Sequence, residues 1–191
     1  MFKLTRCRRS DEPHFRFYTQ LPPELQTAIA WTRAAYKRGS AAVDGLHLCI
    51  SHRNRRRING LRQESFAVDK ATVVVPAHDG ECEYHLCAGT PLVGSCTGRG
   101  FVNGAFFIVE EVGETVKVRD NLTEAVIECT TDILAKHTCL AHAVVYNRAQ
   151  GCTIRDQRVI LHDLASPWFR KSHLYVGLSR VCNGGAVHIA A

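Results

Sequence analysis

Apolar positions recur along this chain in two rhythms, one at its ends and another in its middle. Behind Pro22-Pro23, Leu25, Ala28 and Ile29 fall at helical intervals and predict an amphipathic helix that stops near Gly39, a natural C-cap. Leu46-His47-Leu48-Cys49-Ile50 is a short continuous run and predicts a buried strand. Ser51 follows at once, and Asn54 to Leu61 reads as helical, with Ile58 and Leu61 its apolar positions. Strand, tight turn and helix therefore follow one another. Nearer the C-terminus, Ala141 to Tyr146 reads as a strand or strand entry and Arg158 to Asp163 as a second buried strand. Lys171 to Arg180 reads as a helix and Ala186 to Ala190 as a final strand. Residues 1–20 are polar and basic, with Asp11-Glu12-Pro13 reading as a break.

The centre changes to the period of a strand. Ala71 to Pro76 is β-branched, and Thr90 to Ser95 and Ala105 to Glu110 are further strand candidates. Thr115-Val116-Lys117-Val118-Arg119 alternates with period two, and Asn103-Gly104 is a tight-turn dipeptide. Short strands at this spacing predict a small β-barrel or curled sheet over residues 71–140. An α/β domain of residues 1–70 and 141–191 would then be interrupted by an all-β insertion.

Composition narrows the class. A chain of 191 residues, 46% of them hydrophobic, can hold one domain with a real core and a small insertion. No apolar run approaches the roughly 18 residues that span a bilayer. Met1 to Arg6 is too polar for a signal peptide. These features lead to the expectation of a soluble intracellular protein with no membrane partner; nucleus, cytoplasm and a viral source stay open. Nine cysteines contain no C-x-x-C pair, and His47, Cys49 and His52 form only a loose cluster. Reduced cysteines filling core positions, with no metal site, are expected. The net charge of +6 comes from 24 Lys and Arg against 18 Asp and Glu. Arginine clusters at Arg6, Arg8 and Arg9 and again at Arg53, Arg55, Arg56 and Arg57. Charge alone is as consistent with a polyanionic partner, nucleic acid first, as with a solvated surface.

Three places carry candidate chemistry. Ser51-His52-x-x-Arg55-Arg56-Arg57 sits where a strand passes into a helix. Ser51 would cap that helix, and free N–H groups with arginines in the next turn suit one phosphate. Gln150-Gly151 lies in a turn, with Arg148 and Thr153 beside it. Glutamine and threonine can hydrogen-bond a phosphate, and glycine lets the backbone approach closely. Arg180 ends a helix whose apolar positions include Leu174, Val176 and Leu178. It answers equally to the helix dipole and to a γ-phosphate, for which guanidinium is a rigid donor.

Order along the chain adds a resemblance. Ala141 to Thr153 resembles A-x-A-x-T-I-H-K-S/A-Q-G-Q-T, and Tyr175 to Arg180 resembles Y-V-A-L-S-R. These are the last two motifs of the RecD-like and PIF-like branch of superfamily I DNA helicases. Leu4 to Asp11 is similar to that family's L-T-x-x-F/Y-R-Q-x-D, and Ala34 to Gly39 to its L-N-x-I/L-R-x-G. His47 to Asn59 is similar to its strand followed by N-x-x-V/R-x-x-I/L-N. Ala88 to Val93 and Val102 to Val109 resemble x-G-x-x-V and x-N-G-x-x-G-x-V of the inserted barrel. Departures are Ser10 for Gln, Val145 for Thr, Asn147 for His, Cys152 for Gln and Gly177 for Ala.

The resemblance implies a fold: a second RecA-like, P-loop-NTPase-type domain with a parallel sheet, interrupted by a Src-homology-3-like barrel. It implies that Arg9, Gln150, Gly151 and Arg180 face ATP, Arg9 and Arg180 as catalytic arginines. It implies that Ser51, His52, Arg55, Arg56, Asn103, Arg148 and Thr153 face single-stranded DNA, with RNA left open. The sequence contains no G-x-x-x-x-G-K-S/T and no acidic pair in the manner of a magnesium-binding strand end. ATP and Mg²⁺ are thus expected only in a complete helicase, with a Walker A domain in cis or trans. The chain alone is expected to be inactive. The rival is a catalytically dead single-stranded nucleic-acid-binding module of helicase-derived fold.

Overall fold

A computed structural model describes residues 10–190. Asp11 accepts from the His14 amide at 2.8 Å and caps α1 (Glu12–Thr19), with Pro13 in the first turn. The Asp11-Glu12-Pro13 stretch is therefore a helix start and not a break. A side-chain cap and a proline whose missing N–H is not needed there are what a first turn requires. Glu24 caps α2 (Leu25–Ala35) in the same way, accepting from Gln26 N and Thr27 N. There follow β1 (Lys37–Gly39), β2 (Leu46–Cys49), α3 (His52–Phe66), β3 (Val73–Val75), β4 (Tyr84–Leu86), β5 (Pro91–Gly94), β6 (Phe106–Val112) and β7 (Val116–Asp120). The chain continues through β8 (Val126–Cys129), α4 (Thr131–His137), β9 (Thr138–Leu140), β10 (Ala143–Val145), a 3₁₀ turn at Tyr146–Ala149, β11 (Val159–Leu161), α5 (Lys171–Ser179) and β12 (Val187–Ala190). Among the described residues no helix is long and apolar enough to cross a membrane.

Two compact units result, Met1–Arg55 with Val144–Ala191, and Arg56–Ala143. The boundary falls inside α3. The second half of that helix buries Asn59 and Gln63 among second-unit groups, donating to the carbonyls of Leu140, Ala143 and His85.

The first unit is mixed α/β. Its five-stranded sheet has the order β1-β12-β11-β2-β10, and the pairs β1–β12, β12–β11 and β11–β2 are parallel. All four residues of β2 and all three of β11 are buried. Strands covered on both faces read as continuous apolar runs, which is how both appear in the sequence. Gly39 is no C-cap: α2 ends at Ala35, and Gly39 pairs with Ala190 in the edge strand. A Cβ there would come within 2.9 Å of His188 Cβ, so the glycine serves close strand contact.

One polar side chain lies in the middle of the β2 run. His47 Nε2 meets the Val43 carbonyl at 2.9 Å, and Nδ1 meets His162 Nε2 at 2.8 Å. A carbonyl only accepts, so Nε2 carries the proton and Nδ1 accepts from His162. The ring is held neutral, and burial pushes its pKa below the ordinary 6.5. His14 is similar: Nε2 donates to the Leu178 carbonyl at 2.9 Å, Nδ1 meets Tyr36 Oη at 2.7 Å, and burial lowers its pKa.

The second unit carries a five-stranded sheet of order β8-β7-β6-β5-β9, antiparallel throughout, and a separate β3–β4 hairpin. Val116 and Val118 of β7 point inward with Leu92, Phe101, Phe107, Val109 and Leu134, the period-two pattern made solid. The hydrophobic pattern predicts neither the helix α4 nor the strands β4, β8 and β9. Each is short, and β-branched Thr130 and Thr131 mask the helix start. On α3, Ile58 is buried but Leu61 is 47% exposed, while Arg62 and Gln63 turn inward.

Two outcomes follow. Gly94 has its missing Cβ direction filled by the Val102 carbonyl. Gly94→Ala is expected to destabilise the protein by about 3 kcal/mol in urea unfolding, because backbone must move to admit the methyl. The buried histidines set an acid dependence. Below the ordinary pKa of 6.5 the unfolded chain binds protons that folded His47 and His14 refuse. Stability therefore falls as pH drops through that value towards the lowered ones. Thermal melts should show Tm decreasing from about pH 7.5 to about pH 5.5, and His47→Asn should shallow that dependence.

Candidate nucleotide and nucleic-acid surface

Parallel strands β2 and β11 end together, and the segments after them meet. Ser51 Oγ accepts from Asn54 N at 3.1 Å, the N-cap bond expected from sequence. After β11, Asp163 takes φ +65° and turns its carboxylate back. One oxygen accepts from Ile50 N at 2.8 Å and the other from Asn54 Nδ2 at 2.8 Å. The start of α3 thus already has an anion beside it, and a phosphate there must be drawn by side chains further out. Asp163 was not singled out from sequence. Its one local signal is an Asp directly after a buried run, where a left-handed turn is tolerated.

The arginines of α3 do not form one exposed cluster. Ser51, His52, Arg53 and Arg56 are exposed, but Arg55 is 4% exposed and turned inward. Burial takes Arg55 out of the set that solvent or a phosphate can reach. Arg56 belongs to the second unit, where its guanidinium donates to the Gly80 carbonyl. Asn103, also in the second unit, is exposed in a turn closed by its backbone N–H on Thr97 Oγ1 at 3.2 Å.

In the first unit the turn after β10 and the end of α5 come together. Tyr146 is buried beneath the turn, its hydroxyl donating to the His162 carbonyl at 3.0 Å. Gln150 and Gly151 are exposed, and Gly151 has φ +86° with open space where a Cβ would stand. Arg148 is half-buried and Thr153 is exposed. The next residue, Ile154, donates its N–H to the Arg180 carbonyl at 2.8 Å, and Cys182 N returns to the Ile154 carbonyl at 3.1 Å. This parallel bridge fixes the turn beside Arg180. The Arg180 guanidinium, half-buried, donates to Ser179 Oγ at 3.3 and 3.2 Å. Its charge reaches the turn: burial raises the Cys152 thiol pKa, and Arg180 partly offsets that. The buried face of α5 is Leu174, Gly177, Leu178 and Ser179, whereas Tyr175 stays 46% exposed. Arg9 lies outside the described residues.

No protein-family model and no curated protein matches this sequence. Its fold is that of about half of a Pif1 DNA helicase. Bacteroides Pif1 bound to single-stranded DNA superposes with a TM-score of 0.66 at 17% identity, over 96% of this chain and 50% of its own. Two coordinating Pif1 helicases solved for DNA unwinding at forked double-stranded DNA give 0.64 at 19% identity, over 97% and 49%. Pif1 from Candida albicans gives 0.64 at 13% identity, over 94% and 53%. The chain spans about half the length of the solved helicases it matches, and the likeness is one of fold.

The Asp163 carboxylate holds two donors. Asp163→Ala is expected to cost about 2–3 kcal/mol in urea unfolding, since it strands the Ile50 amide and removes a charge-assisted bond. A loss under about 0.5 kcal/mol, the ordinary scale of surface changes, would deny Asp163 this role.

Proposed function

We propose that this chain is the second RecA-like domain of an ATP-dependent DNA helicase, with a Src-homology-3-like barrel as its inserted unit. The observation that carries the reading is the junction of Arg180 with the Gln150–Thr153 turn, two segments far apart in sequence, on a Pif1-like fold. A flexible side chain, a positive-φ glycine with open space above it and a half-buried arginine that donates to a neighbouring hydroxyl suit the outer side of a triphosphate. Gln150 and Gly151 would face ATP, and Arg180, with Arg9, would supply guanidinium to the charge that develops on the γ-phosphate. Such donors stabilise the transition state more than the ground state. The phosphate cradle and the Mg²⁺ ligands would come from a Walker A domain, in cis or trans. Ser51, His52, Arg56, Arg148, Thr153 and Asn103 would meet the single strand; Arg55 would support α3 from inside.

The second reading is a non-catalytic single-stranded nucleic-acid-binding module. The substitutions at Val145, Asn147 and Cys152 favour it, because two of them remove the hydroxyl and the amide, and the third replaces the imidazole, that the helicase pattern carries at this turn. Hydrolysis separates the two. Alone, the chain should not hydrolyse ATP; mixed with a Walker A domain and single-stranded DNA, it should restore hydrolysis. Arg180→Ala should then lower the rate by about 10³-fold while leaving ATP binding largely intact. Strand binding without any restored hydrolysis supports the module.

Binding to a single strand should weaken with salt. Each phosphate contact contributes about −0.7 to the slope of log affinity against log salt. Arg56→Ala should flatten that slope by about one contact, whereas Arg55→Ala should lower thermal stability and leave the slope of the folded protein unchanged. Equal slopes for Arg56→Ala and the parent protein would take Arg56 off the track.

A further inference from the structure

The side chains proposed above would meet phosphates; none of them would address a base. One side chain does. Trp168 is 73% exposed, a large aromatic standing in water. We propose that Trp168 is a stacking platform for one base of a single strand. The inference rests on the single-strand reading above and adds to it the contact on the base side.

The segment that carries Trp168 is rigid. It begins at Asp163, which is tied to Ile50 and Asn54 at the start of α3. Ser166 N donates to the Asp163 carbonyl at 2.9 Å, and Phe169 N to the Ser166 carbonyl at 2.9 Å. Trp168 N is held by Ser166 Oγ at 3.3 Å. The next side chain, Phe169, is buried, edge-on to Tyr146 with ring centroids 5.7 Å apart and 5.6 Å from the His173 ring. Tyr146 opens the turn that leads to Gln150. The loop therefore runs from the capped start of α3 to the floor of the Gln150 turn, all within the first unit. Its backbone is tied down on both sides while the indole is left outside.

Charge decides what the indole meets. The charged side chains exposed on the elements that the loop joins are basic: Arg53, with His52 beside it, on the first turn of α3, and Arg170 two positions along the loop. Lys171 is engaged, its Nζ donating to the Leu21 carbonyl at 3.2 Å. The one acid of the loop, Asp163, is spent on Ile50 and Asn54. An exposed aromatic plane on a loop that runs between basic elements fits a ligand that is both anionic and aromatic. A single strand is such a ligand: every base offers a π-face, and stacking on an aromatic side chain is sequence-tolerant. An apolar protein surface would gain nothing from the exposed basic groups on those elements.

The chain has two tryptophans, which makes the test direct. Trp31→Phe leaves Trp168 as the lone indole. Oligothymidylate should quench its emission, and an abasic strand of the same length, with phosphates but no bases, should not. Trp168→Ala should weaken oligothymidylate binding about ten-fold, the scale of one stacked base, with the abasic affinity and the salt slope unchanged. Trp168→Phe should recover most of the loss. If Trp168→Ala binds oligothymidylate as tightly as the parent and emission does not change, the platform is overturned while single-strand binding stands. If the parent protein binds neither strand, the single-strand reading falls and the platform with it.

Discussion

The carboxylate of Asp163 accepts from two partners that belong to different parts of the chain, the amide closing β2 and the side chain on the first turn of α3. The carboxyl edge of the parallel sheet depends on this joint. A left-handed residue is an uncommon conformation for anything but glycine, and aspartate is among the side chains that tolerate it. Here two charge-assisted bonds hold it. The residue before it, His162, is used three times: its ring donates to His47, its carbonyl accepts from Tyr146, and its amide donates to Leu48. β2, β11, the start of α3 and the floor of the Gln150 turn are therefore placed by two consecutive residues.

This placement has an electrostatic consequence. A helix start with open N–H groups draws anions, but the Asp163 charge next to α3 works against a second anion at the same spot. In the proposed reading an anion would be drawn instead to the exposed side chains of His52 and Arg53, and to the neighbourhood of Arg180. The inner face of α3 shows the complementary choice. Arg55, Asn59, Arg62 and Gln63 are buried, and Asn59 and Gln63 bond both backbone and side-chain groups. Gln63 bonds the His85 carbonyl, Thr90 Oγ1 and His142 Nε2. Ile58 is the one fully buried apolar side chain there, so the hydrophobic pattern finds the helix but not its buried face, and the polar interior contacts specify one register more sharply than apolar packing would.

What the sequence reveals follows from the range of the interaction involved. β2, β11 and β12 are legible because buried strands are apolar but for one histidine each in β2 and β12. The Ser51 cap is legible because its bond spans three residues. The inward turn of Arg55 is not, since nothing local separates it from Arg56. Leu61 and Arg62 are reversed relative to hydropathy for the same reason: α3 buries hydrogen-bonding groups. Asp163, the His47–His162 pair and the seam between Ile154 and Arg180 rest on partners roughly 26 to 115 positions away. Gly39 looked like a helix stop because glycine serves turns and tight strand contacts equally well. The last motifs pointed to Arg180 and Gln150 as a pair, yet their backbone junction appears only once the chain is folded.

Asn59 carries one more implication. Its Nδ2 donates to the carbonyls of Leu140 and Ala143, and its Oδ1 accepts from Ala143 N at 2.6 Å. The place where the chain enters the second unit is thereby hydrogen-bonded to the place where it leaves. An insertion whose ends meet in this way adds little loop-closure entropy to its host, however long it is. It is a cassette. A change in its length would cost the host little, provided that the asparagine and the backbone facing it are kept.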